Sequence, residues 1–156
     1  HRSILVSPTR AEINQTVNHR LRRTEFMPFA PVTLWEERHN CYQHLAGAEH
    51  TAEFMTITFD CTDFMKESCP AAIHVDGTAR PQLIRREKNP VYYDIVAEYQ
   101  KLSGIPCLIN TSFNMHEEPI VCTPEDAVRA FQLGHLDALA IGPFWTEQTA
   151  KDLTDA

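Results

Sequence analysis

Hydrophobic residues recur every four positions at Ile13, Val17 and Leu21, with Arg10, Arg20 and Arg22 on other faces, the pattern of an amphipathic helix. Ser7-Pro8 ahead of this stripe has the form of an N-cap followed by proline in the first turn. Pro28 and Pro31 end the helix and force extended backbone. From Cys41 to His50 the chain is polar and reads as a loop or a short helix. Phe54 to Asp60 is β-branched and aromatic and predicts a strand; Ala71 to Val75 predicts a second, and Asp76-Gly77 marks the turn after it. A third strand is expected over 80–85.

Asn89-Pro90 opens the next predicted helix, with Ile95, Val96, Tyr99 and Leu102 as its buried face and Gly104 just past its end. The unbroken apolar run from Ile105 to Ile109 predicts a central strand. Thr123-Pro124-Glu125-Asp126 starts another helix with acids in its first turn; Ala127, Val128 and Phe131 face inward and Gly134 closes it. Leu139-Ala140-Ile141 is the last expected strand, and beyond Trp145 the sequence turns polar and is expected to fray. Strands alternating with helices, and no internal repeat, place the chain in the α/β (or α+β) class as one domain over 1–145 with a polar tail over 146–156.

Composition narrows the functional classes. With 156 residues the chain can bury a core without disulfides. A hydrophobic fraction of 43% with 22% charged residues is that of a globular domain. No apolar run is long enough to span a bilayer, so no membrane partner is expected. The net charge of −7 argues against nucleic acid as a partner. That net value hides an imbalance: residues 1–23 hold five arginines against the single acid Glu12. Arginine outnumbers lysine ten to four, and guanidinium suits bidentate phosphate or carboxylate recognition. An odd count of five cysteines without C-x-x-C, and no secretory signal, point to a reducing cytoplasm, with Cys107 and Cys122 as small core residues. The eight histidines lack metal-ligand spacing, so no structural metal is expected. The chain starts at His1 rather than Met, as a processed or excised piece would.

Three segments are candidates for chemistry. Asn110-Thr111-Ser112-Phe113-Asn114 follows the predicted central strand, where α/β sheets present ligand sites, and period two puts Asn110, Ser112 and Asn114 on one face. An Asx or capping turn is the plain structural alternative. His74-Val75-Asp76-Gly77-Thr78-Ala79-Arg80 combines a tight turn with an arginine placed to meet an anion, or is an ordinary hairpin with a salt-bridged arginine. Arg20-Leu21-Arg22-Arg23 sets guanidiniums at a helix C-terminus, able to hold polyphosphate or simply to complement the helix dipole. With five glycines and no P-loop, phosphate binding has to rest on Arg, Ser and Asn.

Taken in order, Arg2-Ser3-Ile4-Leu5, Phe26-Met27-Pro28-Phe29-Ala30-Pro31, His74 to Gln82, Asn110 to Asn114 and Glu118-Pro119-Ile120-Val121 resemble the C-terminal region of the O-carbamoyltransferases of the nodulation-factor, tobramycin and cephamycin type. The resemblance implies a YrdC-like domain, a twisted mixed β-sheet flanked by helices. It implies binding of ATP, accompanied by Mg2+, and of carbamoyl phosphate, and formation of carbamoyl-adenylate with loss of pyrophosphate. A preceding actin-like, metal-binding domain of the same full-length chain would then carry the carbamoyl group to an acceptor hydroxyl. Homodimer formation is compatible with this scheme. On this resemblance Arg23, Arg80, Ser112 and Asn114 are the expected catalytic residues. Arg2, Arg20, Arg22, His74, Thr78, Asn110 and Thr111 are expected to bind substrate or nucleotide. Two positions depart from the pattern: Leu21 stands where the Lys of a Lys-x-Arg element is expected, and Glu117 where many relatives have Gly. A module that binds nucleotide or docks on its partner without independent catalysis is the alternative these departures favour.

Overall fold

A computed structural model describes residues 1–23 and 28–148. In chain order it contains β1 (Ser3–Val6), α1 (Ile13–Arg20), β2 (Ala30–Leu34), α2 (Arg38–Cys41), β3 (Phe59–Asp60), α3 (Asp63–Ser68), β4 (Thr78–Ala79), β5 (Gln82–Ile84), α4 (Pro90–Ser103), β6 (Cys107–Ser112), α5 (Pro124–Leu133), β7 (Ala138–Ile141) and β8 (Phe144–Glu147). The mixed α/β class expected from the sequence is the class found. The contacts gather these elements into two compact units.

The first unit comprises His1, Ser3–Asn14 and Pro28–Thr111. Its sheet has the strand order β1-β6-β2-β5. β2 lies between a parallel partner, β5, and an antiparallel one, β6, and all five of its residues are buried. Val32 stands opposite both Gln82 and Leu108, and Thr33 opposite both Leu83 and Cys107. Alternation then divides the core in two. Val32, Leu34, Ile84 and Leu108 pack with Tyr92 and Val96 of α4. Leu83 and Cys107 join a second cluster built around Cys41, Tyr42, Leu45, Cys61, Met65 and Cys69.

α4 has the expected ends: the Asn89 side chain accepts from the Tyr92 N–H, Pro90 occupies the first turn, and Gly104 closes it at φ +78°. Its buried face is set by Tyr92 and Val96, not by Ile95 and Leu102, and Leu102 is 82% exposed. Other expectations need correction here. The first helix starts at Ile13, because β1 occupies residues 3–6 and the Ser7 hydroxyl bonds to Tyr99 and Thr9 instead of capping. Residues 54–58 are not strand: Met55 adopts φ +55° and Phe54 and Ile57 are exposed, leaving only Phe59–Asp60 paired with β4. Residues 70–72 form a 3-10 turn started by Pro70, because two alanines carry little preference for a strand. The third expected strand, 80–85, shortens to β5 over 82–84, and Arg80-Pro81 parts it from β4, proline offering no N–H to a ladder.

The second unit comprises Arg2 with residues 15–23 and 112–148. Its buried residues include Val17, Leu21, Phe113, Met115, Val121, Ala127, Ala130, Phe131 and Leu139. α5 carries a full capping box, the Thr123 hydroxyl accepting from the Asp126 N–H and the Asp126 carboxylate accepting from Thr123. Val128 on this helix is exposed rather than core, and so is Cys122 just before it. Residues 144–147 pair with β7 as β8, so the chain is ordered past Trp145; the rest of the expected frayed tail lies outside the described residues from 149 on. Phe26 and Met27 of the Phe-Met-Pro-Phe-Ala-Pro string also lie outside the described residues.

Candidate functional site

In the first unit, the segment from His74 to Arg80 folds on Asp76 and Gly77. One Asp76 carboxylate oxygen accepts from both the Thr78 N–H at 3.0 Å and the Thr78 hydroxyl at 2.7 Å. The His74 N–H donates to the Thr78 carbonyl at 2.7 Å, and the Gly77 N–H to the His74 carbonyl at 2.9 Å. Gly77 sits at φ +81°, a conformation that a residue with a Cβ adopts only with strain. His74 Nδ1 lies 3.2 Å from the Thr78 hydroxyl oxygen. Because that hydroxyl donates to Asp76, it accepts from Nδ1–H, which leaves Nε2 of the neutral imidazole as an acceptor.

Electrostatics follow from this arrangement. The Thr78 hydrogen bonds hold the Asp76 carboxyl below its usual range. Burial pulls the His74 imidazole down; the nearby Asp76 charge partly opposes this and the Arg80 charge adds to it. Arg80 itself is exposed and makes no ion pair with any carboxylate among the described residues. The turn therefore carries an exposed guanidinium beside a histidine whose neutral form burial favours.

On β6 of the same unit, the Asn110 amide nitrogen donates to the Gln82 side-chain oxygen at 2.7 Å. The Asn110 amide oxygen is buried and has no hydrogen-bond partner among the described residues. Thr111 follows, half-buried.

In the second unit, the Ser112 hydroxyl donates to the Asn114 amide oxygen at 2.6 Å, and the Asn114 amide nitrogen donates to the Glu118 carbonyl at 2.6 Å. The period-two expectation therefore brings Ser112 and Asn114 together. The segment is anchored by main-chain bonds from Phe113 to Arg2 and from Val121 to Phe113, each 3.0 Å. Arg2 adds a guanidinium bond to the Val121 carbonyl at 3.0 Å, so here it holds backbone. Arg20 pairs with Asp137 at 3.1 Å. Arg22 is exposed at φ +58°, where the chain leaves α1. Arg23 is half-buried, and burial lowers its pKa. Leu21 is almost fully buried. Glu117 adopts φ +61°, a left-handed backbone conformation that glycine accepts without strain. Glu118 faces Arg129, both carboxylate oxygens meeting guanidinium nitrogens.

Two groupings went unread in the sequence. Gln82 is the partner of Asn110 although 28 residues separate them. The buried Glu53 carboxylate is flanked by Arg85 and Lys88, whose hydrogen bonds and charges outweigh its burial and hold it below the usual range. The Arg85 guanidinium also lies over the Trp35 ring, 3.1 Å from its centre. No local signal marks either grouping, since each joins residues at least 28 positions apart. Among the described residues no group of three or more His, Cys, Asp or Glu is placed to hold a metal ion, and no helix is long and apolar enough to cross a membrane. Short neutral amides and hydroxyls, with guanidiniums, are what the two units offer; such groups bind phosphate and carbonyl oxygens and amino groups.

Comparison with known proteins gives the setting. A family model described as carbamoyltransferase C-terminus matches residues 1–148. Nodulation protein NolO of Bradyrhizobium diazoefficiens is 35% identical over a match covering 99% of this chain and 28% of its own length. Nodulation protein NolNO of Sinorhizobium fredii is 36% identical over 92% of this chain and 21% of its own. An uncharacterised protein of Methanocaldococcus jannaschii is 40% identical over 90% of this chain and 23% of its own. The chain thus spans about a quarter of the length of these relatives. Among solved structures, full-length HypF in its phosphate- and nucleotide-bound form superposes with a TM-score of 0.58 at 18% identity, over 84% of this chain and 16% of HypF. That likeness is one of fold, and it agrees with the YrdC-like mixed α/β class expected from the sequence.

Proposed function

The chain belongs to the carbamoyltransferase C-terminal family, and from that premise we propose that it is the activating part of an O-carbamoyltransferase, binding ATP and carbamoyl phosphate and making carbamoyl-adenylate. In this scheme water releases inorganic phosphate and carbamate from carbamoyl phosphate. A carbamate oxygen then attacks the α-phosphorus of ATP, the bond to the β-phosphate breaks, and pyrophosphate leaves with the electron pair. The remaining part of the full-length protein, expected to be actin-like and metal-binding, passes the carbamoyl group to an acceptor hydroxyl.

Such phosphoryl chemistry asks the protein mainly for position and charge neutralisation, with no side-chain nucleophile. In the first unit Arg80 supplies a cation, with His74 and Thr78 shaping the turn that precedes it. In the second, Ser112 and Asn114 orient phosphate or carbamate oxygens and Arg23 is a second cation. ATP enters as its Mg2+ complex. The single observation that carries this reading is Arg80: an exposed guanidinium without a carboxylate partner among the described residues, on a turn stiffened by Asp76 and Thr78.

The test is calorimetric titration of the protein with ATP and carbamoyl phosphate in magnesium, alongside pyrophosphate release. Binding of both is expected, weakened on the order of tenfold by Arg80→Ala and by Ser112→Ala. A folded protein that binds neither compound refutes the activity; unchanged affinity in both variants refutes the site. One observation favours a second reading, a module that binds nucleotide without catalysis: Leu21, at the expected lysine position, is buried and supplies no cation. Pyrophosphate release that depends on carbamoyl phosphate separates the two.

A further inference from the structure

In the sheet, β2 lies between Gln82 on β5 and Asn110 on β6. Val32 faces Gln82 on one side and Leu108 on the other, and Asn110, two residues on from Leu108, stands opposite Ala30. Side chains alternate along a strand, so Asn110 shares the face of Leu108, and Gln82 the face of Ile84. The apolar members of that face form the layer beneath α4. Gln82 and Asn110 continue the same layer as a polar pair, and the small Ala30 between them on β2 leaves the space across which their amides meet at 2.7 Å.

This bond fixes more than the position of Asn110. The Asn110 amide nitrogen donates to Gln82, and its oxygen is the atom left buried and unbonded among the described residues. Buried acceptors without a donor are rare in folded proteins. A carbonyl oxygen selects donors: a phosphate oxygen or a methyl group cannot satisfy it, whereas an N–H can. We propose that Asn110, oriented by Gln82, is the acceptor that reads an amino group of the ligand, and that Gln82 is its positioning residue. The inference rests on the function proposed above, which supplies two candidate amino groups. One is the carbamoyl NH2, which distinguishes carbamoyl phosphate from acetyl phosphate. The other is the exocyclic amine of adenine, which distinguishes ATP from ITP. A site built on such a bond rejects the analogue that lacks the donor, because the buried acceptor is then left unpaired.

The experiment measures two selectivity ratios, carbamoyl over acetyl phosphate and ATP over ITP, by calorimetric competition and by KM in pyrophosphate release. They are compared in the wild type, Gln82→Leu and Gln82→Glu. A carboxylate at residue 82 still accepts from the Asn110 nitrogen, so Gln82→Glu restores what Gln82→Leu loses. One ratio is expected to fall on the order of tenfold in Gln82→Leu and recover in Gln82→Glu while the other stays put. The ratio that falls identifies the amino group. A merely structural role for Gln82 would move both ratios together or neither. If Gln82→Leu fails to fold by thermal melting, Gln82→Met, close in length and shape, carries the same test. Binding that persists with neither ratio changed overturns the inference and leaves the proposed activity standing. A wild type without either discrimination, as an acceptor met only by solvent would give, overturns it as well. Failure of the wild type to bind ATP and carbamoyl phosphate at all overturns the activity and the inference together.

Discussion

The hydroxyl of Thr33, in the middle of β2, and that of Tyr42, just after α2, form a hydrogen bond of 2.7 Å inside the first unit. Thr33 is wholly buried and Tyr42 is 2% exposed. No other hydrogen-bond partner serves either hydroxyl among the described residues, and burial pushes the Tyr42 ionisation well above its ordinary value. Thr33→Val keeps the shape and removes one partner, leaving the phenol buried and unpaired; this is expected to cost about 1–3 kcal/mol. Tyr42→Phe leaves the threonine hydroxyl in the same position at a similar cost. The double variant removes both polar groups and leaves an apolar contact of nearly the same volume, so its loss should be under about 1 kcal/mol, less than either single change. Urea unfolding of the four proteins, with m-values compared to confirm that the same transition is measured, gives the coupling energy directly. A double variant that loses the sum of the two single losses would falsify the assignment of the bond.

Three further outcomes are expected. Of the five cysteines only Cys122 is exposed, and burial pushes Cys61, for one, up to about 12, so one thiol per native chain should react rapidly with a disulfide reagent and none in Cys122→Ser. His74 is held below its ordinary value of 6.5 by burial. Its contribution to stability is therefore complete above the unfolded value and is lost as pH falls through the lowered folded value. Urea midpoints should drop on acidification from about pH 7 to about pH 5, and His74→Gln should flatten that slope; an unchanged slope contradicts the account. Glu117→Gly should stabilise the protein by up to about 1 kcal/mol in the same unfolding assay, since the residue sits at φ +61°; destabilisation would show that the side chain offsets the strain.

What the sequence disclosed depended on distance along the chain. The ends of α5 were legible, because Thr123, Pro124 and Asp126 act within one turn of each other and Gly134 closes the last, although Val128 is exposed and not part of its inner face. The ends of α4 were legible for the same reason, but its buried face was not. Tyr92, Ile95, Val96 and Leu102 are all apolar, and only packing against Val32, Ile84 and Leu108 selects Tyr92 and Val96. The run from Phe54 to Asp60 has the composition of a strand and no partner to pair with before Phe59, so composition overstated it. At the site, Ser112 and Asn114 were readable by alternation. The bond from Asn110 to Gln82 was not, because it exists only once β2 has been inserted between β5 and β6. Arg2 and Arg20 illustrate the opposite limit: their charge was plain, whereas their engagement with the Val121 carbonyl and with Asp137 depends on residues more than a hundred positions away.

Leu21 limits where the C-terminal end of α1 can present a charge. Its side chain reaches toward Gly134, where a Cβ would lie 3.4 Å from it, and its carbonyl accepts from the His116 N–H. A lysine placed there now would carry its ammonium into a packed apolar setting and would have to shed its charge or disrupt the packing around α5. The packing around position 21 thus closes it to a cation. A cation at this end of α1 has to come from a neighbouring position such as the exposed Arg22.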